Sequence, residues 1–297
     1  MAHPKQVYFS NRHHRPKVSW LISGFESLGI STVYSRALEN ASGRAGVEII
    51  DLVYDDRIAR VFLDTIPSPD IYEKLFPLKG DEYYFKTHLH RMFRYLHPRI
   101  YPMPNSGSSV KFLEKLQENR DTRDTPPLYD VVAILCNSDD GQRIRACELI
   151  RKNFKHSIVG IYNSPFYGSE PIPPILRRDK FPYDHYLHLI SRAKIAVAFP
   201  ARNNPKTEPV WCSFRLIENL GIGVPTVTVP NPGYVMPDDP EGCWIECDAD
   251  LSNFVDTIKH YLKHGDEQEA IGNRGREYFD SHLVPAKHAE WMIRNVQ

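Results

Sequence analysis

Between Tyr129 and Cys247 the chain repeats one pattern, and that repetition limits the folds open to it. Apolar runs of strand length occur at Tyr129–Cys136, Ser157–Tyr162, Lys194–Phe199, Pro225–Val229 and Glu241–Cys247. The first four are separated by segments with helical spacing: Gln142–Phe154, Asp184–Ala193 and Ser213–Leu220. Tyr129–Cys136 reads Tyr-Asp-Val-Val-Ala-Ile-Leu-Cys, too apolar for a strand with one wet face, so it is expected at the centre of a parallel sheet. Asn137–Gly141 after it is a turn that offers helix N-cap residues. Three further helices are expected at Leu251–Lys263, Asp266–His282 and Pro285–Gln297. Strands alternating with helices predict an α/β fold with an open parallel sheet covered on both faces. Ligands of such sheets bind at the carboxyl ends of the strands.

The first half is less regular. Val18–Gly24 reads as a short strand ending at a glycine, Thr32–Ala41 as a helix, and Val47–Tyr54 as a strand by its branched residues. Asp81–Arg91 is aromatic, basic and ambiguous. Tyr101–Ser109 is a loop by its prolines and glycine, and Phe112–Glu118 is helical. Arg120–Pro127 is polar and proline-terminated, which predicts a linker and two domains, 1–125 and 126–297.

Composition narrows the function classes. Lys plus Arg and Asp plus Glu are equal at 37 each, so no global field draws the chain to nucleic acid or a membrane. The longest apolar runs are too short to span a bilayer, and the N-terminus lacks an apolar signal core, so a cytoplasmic location is expected. The five cysteines form no Cys-x-x-Cys pair, which argues against a zinc site and structural disulfides. Asp55–Asp56 is an acidic pair of the kind common in loops, and no metal is expected there.

The segment from Phe199 to Pro230 carries the most functional information. It reads as strand, loop, helix, tight turn and strand. Ser213 is a natural N-cap, which turns the N–H groups of Phe214 and Arg215 towards the loop, where they can hold an oxyanion. Arg215 and Glu218 lie three residues apart on one helical face, where they can pair with each other or serve a diphosphate and a ribose.

Three segments carry a resemblance: His185–Pro200, Phe214–Thr228 and Gly272–Phe279 with His282 after it. Together they resemble the C-terminal, nucleotide-sugar-binding domain of GT-B glycosyltransferases, most nearly the spore-maturation-type, group 1-like enzymes. The resemblance implies two Rossmann-like domains with parallel sheets, the N-terminal, acceptor-side one reduced. It implies transfer of a sugar, of hexosyltransferase type, from a nucleoside-diphosphate sugar to a glycan or lipid-linked saccharide, with no cofactor and no metal.

By that resemblance Glu218 is the ribose-binding glutamate, its carboxylate accepting from both vicinal hydroxyls. Arg215, Arg143 and Arg145 are candidates for the diphosphate, where a basic group supports the charge developing on the leaving nucleotide. Ser213 and Phe214 complete the donor-side turn. Arg177–Tyr183, which contains Phe181, falls where the family reads the nucleobase. Many retaining members carry a second glutamate eight residues before the ribose glutamate; that position here is Val210, with Glu208 two residues away. The loop 202–209 offers Arg202, Lys206 and Glu208 to the donor, and the residues leave retention or inversion open. His13, His14, His88, His90 and His97 are the pool for a base that deprotonates the acceptor.

Two other readings remain. Basic and aromatic residues interleave from Tyr83 to Arg99, which can bind an anionic acceptor, including nucleic acid; a transferase acting on DNA bases is one alternative. The other is a nucleotide- or sugar-binding module without turnover.

Overall fold

The computed structural model describes residues 2–10, 16–41, 46–65, 77–87, 89, 97–104, 106, 110–137, 141–162, 172–177, 182–200, 213–231 and 240–296. Met1–Val110 with Ser281–Gln297 forms one compact unit, and Lys111–Pro232 with Pro240–Asp280 forms the other. The division therefore falls at Val110 and not near 125. The first half of the polar run expected as a linker, Arg120–Arg123, is the last turn of a helix, α3 (Lys111–Arg123). Arg120 ends up buried there, its Nε donating to the Gly221 carbonyl at 2.8 Å and its guanidinium pairing with Asp280 at 2.7 Å.

The second unit follows the expectation closely. Its strands are β7 (Tyr129–Cys136), β8 (Ser157–Tyr162), β9 (Ala193–Val197), β10 (Thr226–Thr228) and β11 (Ile245–Glu246), in the order β11-β10-β9-β7-β8, all parallel. The helices are α4 (Gln142–Asn153), α5 (Tyr183–Ser191), α6 (Phe214–Ile222), α7 (Phe254–Lys263) and α8 (Gly265–Tyr278). α4 and α7 lie on one face of the sheet, and α3, α5 and α6 on the other. That arrangement follows from right-handed crossovers: the chain steps from β7 to β8 in one direction, then returns past β7 to β9 in the other. β7 is apolar on both sides because both are covered. Val131, Ala133 and Leu135 join Ala146, Cys147 and Ile150 of α4 and Phe254 and Ile258 of α7, while Val132 and Ile134 are buried on the opposite face.

The first unit departs further. β1 (Gln6–Phe9), β2 (Ser31–Tyr34), β3 (Val47–Val53), β4 (Ile58–Asp64), β5 (Glu82–Lys86) and β6 (Ile100–Pro102) form one sheet in the order β2-β1-β3-β4-β5-β6. It is parallel except for β3, which runs against both neighbours. The cause is Asp55–Asp56. These aspartates are the turn between β3 and β4, with Tyr54 N–H bonded to the Arg57 carbonyl at 2.9 Å. So short a connection permits only an antiparallel pair. Asp55 is ion-paired with Lys5.

Val18–Gly24, expected as a strand, lies inside helix α1 (Pro16–Ser27). Thr32–Ala41, expected as a helix, divides into β2 and the short α2 (Arg36–Ala41). The closing helix α9 (Pro285–Asn295), reached from α8 through a turn of π-helix at Phe279–Leu283, belongs to the first unit and packs on α1. Ala289, Met292 and Ile293 of α9 share a core with Val18, Leu21 and Phe25 of α1. At the carboxyl ends of β4 and β5, Asp64 accepts from Lys86 Nζ at 3.0 Å and from the Tyr84 hydroxyl, all three buried.

Candidate functional site

The topological switch point of the second unit lies between β7 and β9, where the chain leaves towards β8 and returns on the other side. Three helices, α4, α5 and α6, begin at this carboxyl edge, because each follows or leads a rightward or leftward crossover from a parallel strand. Their positive N-terminal ends gather on one side of the sheet, where negative charge is favoured.

Arg143 sits at the switch point. It is buried on the first turn of α4 and donates to the Cys136 carbonyl, at the end of β7, and to the Phe199 carbonyl, just beyond β9, at 2.7 Å each. Its cation thus ties together the ends of the two strands that define the crevice. Arg145, two residues on, is exposed and acts electrostatically on Asp250 before α7. The structure does not bring these two arginines together. The cap of α4 is Gly141, the last residue of the turn expected at Asn137–Gly141, in the left-handed region (φ 65°) and without a side-chain bond.

α6 starts as its sequence predicts. Ser213 is the N-cap, its hydroxyl accepting from the Arg215 N–H at 3.2 Å. The helix ends at Gly223 in the left-handed region (φ 87°), whose N–H reaches the Asn219 and Leu220 carbonyls. Such a C-cap suits glycine, and it fixes the direction of entry into β10.

Glu218 is the centre of the site. It is 0% exposed, so its charge needs partners. Arg215 Nη1 donates to one carboxylate oxygen at 2.9 Å, and the Tyr183 hydroxyl donates to the other at 2.6 Å. The Arg215 guanidinium lies over the Tyr186 ring at 3.7 Å and near the Tyr183 ring at 5.7 Å. The two tyrosine rings stack at 6.4 Å, one turn apart on α5. Burial alone would lower the Arg215 pKa, but Glu218, Tyr186 and Tyr162 together outweigh it, and the pKa is raised. Burial first, and Glu218 second among the groups that add to it, raise the Tyr186 pKa, so its hydroxyl stays protonated. The result is a carboxyl group and a guanidinium paired with each other and held between α5 and α6.

Of the two sequence readings of the Arg215–Glu218 spacing, the pair is formed, and the glutamate is buried and not on a solvated helix face. Tyr183 lies at the end of the segment that the resemblance assigns to the nucleobase; the sequence reading gave neither it nor Tyr186 a part beside Glu218. The signal was a pair of tyrosines three apart at the start of α5, opposite an Arg–Glu pair three apart at the start of α6.

Arg177 extends the edge of β8 through a bridge to Ile161. His13, His14, His88, His90, Phe181, Arg202, Lys206, Glu208 and Val210 lie outside the described residues. Of the basic and aromatic run, Tyr83, Tyr84 and Phe85 are core residues of β5, and Arg99 is bonded to the Leu78 and Gly80 carbonyls. Among the described residues no group of three or more His, Cys, Asp or Glu is placed to hold a metal ion, and no helix is long and apolar enough to cross a membrane.

A family model described as glycosyl transferase-like matches residues 143–293, just over half of the 297-residue chain, from the arginine at the switch point to α9. The chain belongs to the glycosyl transferase-like family. Glycosyl transfer is the activity class that membership carries; the spore-maturation-type grouping stays a resemblance. No curated protein matches the sequence. Among solved structures, the C-terminal domain of the group 1 glycosyl transferase LpcC from Francisella tularensis is 10% identical; the match covers 57% of this chain and 92% of that one, with a TM-score of 0.35. The spinosyn rhamnosyltransferase SpnG is 11% identical; the match covers 74% of this chain and 57% of that one, with a TM-score of 0.40. This glycosyl transferase-like chain thus spans just over half the length of SpnG.

Proposed function

We propose that this family member transfers a sugar from a nucleoside-diphosphate sugar held at the carboxyl edge of the C-terminal sheet. The observation that carries the reading is Glu218: a fully buried side chain, bonded by Arg215, behind the N-terminus of a helix at the binding edge of a parallel sheet. A vicinal diol offers a carboxylate two hydroxyl donors, which is the demand a ribose would meet. Arg215 and the capped start of α6 are suited to the diphosphate, with Arg143 adding fixed positive charge at the switch point. Catalysis would consist chiefly in stabilising the departing diphosphate. Arg202 and Glu208 are candidates to approach the sugar from the loop, His13 to deprotonate the acceptor, and Arg145 and Phe181 to complete the donor site. A glycan or lipid-linked saccharide is the proposed acceptor, and neither a metal nor a cofactor is part of the proposal.

The test is binding of UDP, GDP, ADP, CDP and TDP to wild type and to Glu218→Gln, followed by calorimetry and thermal shift. A ligand that binds only the folded state at a hundred times its Kd adds about 2.7 kcal/mol of stability. One nucleotide is expected to raise the wild-type melting temperature and to do so much less in Glu218→Gln. If none of the five binds wild type, the donor reading is wrong.

A further inference from the structure

Glu218 is already occupied in the free chain, and Arg215 and Tyr183, two of its partners, differ in nature. Arg215 is a cation, covered on one side by the buried ring of Tyr186 at 3.7 Å, and it neutralises the carboxylate. Tyr183 is neutral, partly exposed, and the first residue of α5. Its hydroxyl approaches one carboxylate oxygen at 2.6 Å, the length of a hydroxyl–carboxylate bond. That is the same kind of bond a sugar hydroxyl would make to the same atom. Tyr183 stands at a helix start and is only half-buried, so turning it outwards would uncover one oxygen of Glu218 with less repacking than a core residue requires. Tyr186, buried one turn later with its hydroxyl 3.4 Å from the Asn219 side-chain oxygen, has no such freedom.

We infer that the Tyr183 hydroxyl is a built-in stand-in for a ribose hydroxyl, which caps Glu218 in the free protein and must be displaced when a nucleotide binds. The inference rests on the donor reading above and adds a residue that sets affinity and ribose selectivity. Displacement trades one hydroxyl–carboxylate bond for another, so part of what the ribose gains from Glu218 is offset by the lost Tyr183 bond. Removing the competing hydroxyl takes one donor away from a buried carboxylate oxygen. The ribose then supplies it at no exchange.

The experiment compares wild type, Tyr183→Phe and Tyr183→Leu by isothermal titration with UDP, GDP, ADP and CDP. The nucleotide that binds is then compared with its 2′,3′-dideoxy counterpart, and folding is monitored by far-UV circular dichroism. Tyr183→Phe is expected to melt below wild type when free, yet to bind the ribonucleotide about three- to tenfold more tightly, the range of one net hydrogen bond. The dideoxy compound is expected to bind both proteins alike. Tyr183→Leu removes ring and hydroxyl together and must move ribonucleotide affinity in the same direction. If wild type binds a nucleotide and Tyr183→Phe binds it equally or more weakly, the stand-in role is overturned while the donor site survives. Equal gains for the ribo and dideoxy forms overturn it as well. If neither wild type nor Tyr183→Phe binds any of the four, the stand-in and the donor site fall together.

Discussion

His288 shows how one buried residue can set the acid limit of a fold. It lies on α9 against Trp20, with ring centroids 6.3 Å apart, and its Nε2 has no hydrogen-bond partner among the described residues. Burial disfavours the charged imidazolium and lowers its pKa from about 6.5 to about 3. The native state thus holds a neutral ring where the unfolded chain would bind a proton. Stability from this residue is complete above about pH 6.5 and is lost as pH falls towards 3, by about 1.4 kcal/mol per pH unit. Urea unfolding of wild type and His288→Phe between pH 7 and 4 is expected to show a steeper loss in wild type. Parallel curves would mean that the ring is accessible. The sequence exposed none of this. Histidine is usually a surface or site residue, and only the packing of α1 on α9 puts His288 in the dark. Glu218 is the opposite case: its pattern placed it in the site, but its burial and its tyrosine partner came from α5, 35 residues earlier.

The helix packing turns on small residues. A Cβ on Gly24, in α1, would stand 2.1 Å from the Pro285 carbonyl oxygen at the start of α9, whereas one on Gly265, at the start of α8, meets nothing within 4 Å. Gly24→Ala is expected to lower stability by about 1–3 kcal/mol or more, since the backbone of α9 must retreat. Gly265→Ala is expected to be neutral or to stabilise, because alanine restricts the unfolded chain. Denaturant midpoints decide it, and equal midpoints would refute the close approach. The misread elements have physical causes too. Val18, Leu21 and Phe25 carry helical spacing and are fully buried, yet Val, Trp, Leu and Ile in sequence weigh towards a strand when read residue by residue. α3 looked like a linker because its last turn is charged, and Arg120 finds its acceptors only in α6 and after α8. Most strands and helices of the second unit were legible because its strand segments are apolar, its helices carry helical spacing, and turns bound both. The direction of β3 was not, since alternation is the same read from either end; the two aspartates of its turn held the answer.

At the scale of the whole chain, the first unit is discontinuous. Its core includes Ala289, Met292, Ile293 and Val296, all without exposure to solvent. Burial of a large apolar side chain is worth about 1.5–3 kcal/mol, and a domain's net stability is only about 5–15 kcal/mol. A chain cut after Val284 is expected to lose the folded first unit and keep the second, giving a protease-resistant fragment from about Lys111 to Asp280. Survival of 1–110 as a resistant fragment would show that α9 is dispensable. The same discontinuity bears on synthesis. A ribosome adding about 5–20 residues per second must make some 170 residues, Lys111 to Asp280, between the two parts of the first unit. For roughly 10–30 s at those rates the apolar face of α1 has no α9 to cover it, so the N-terminal unit must finish after the unit encoded behind it. In the nascent chain this is a window for chaperone capture, and it closes only when the polypeptide returns to where it began.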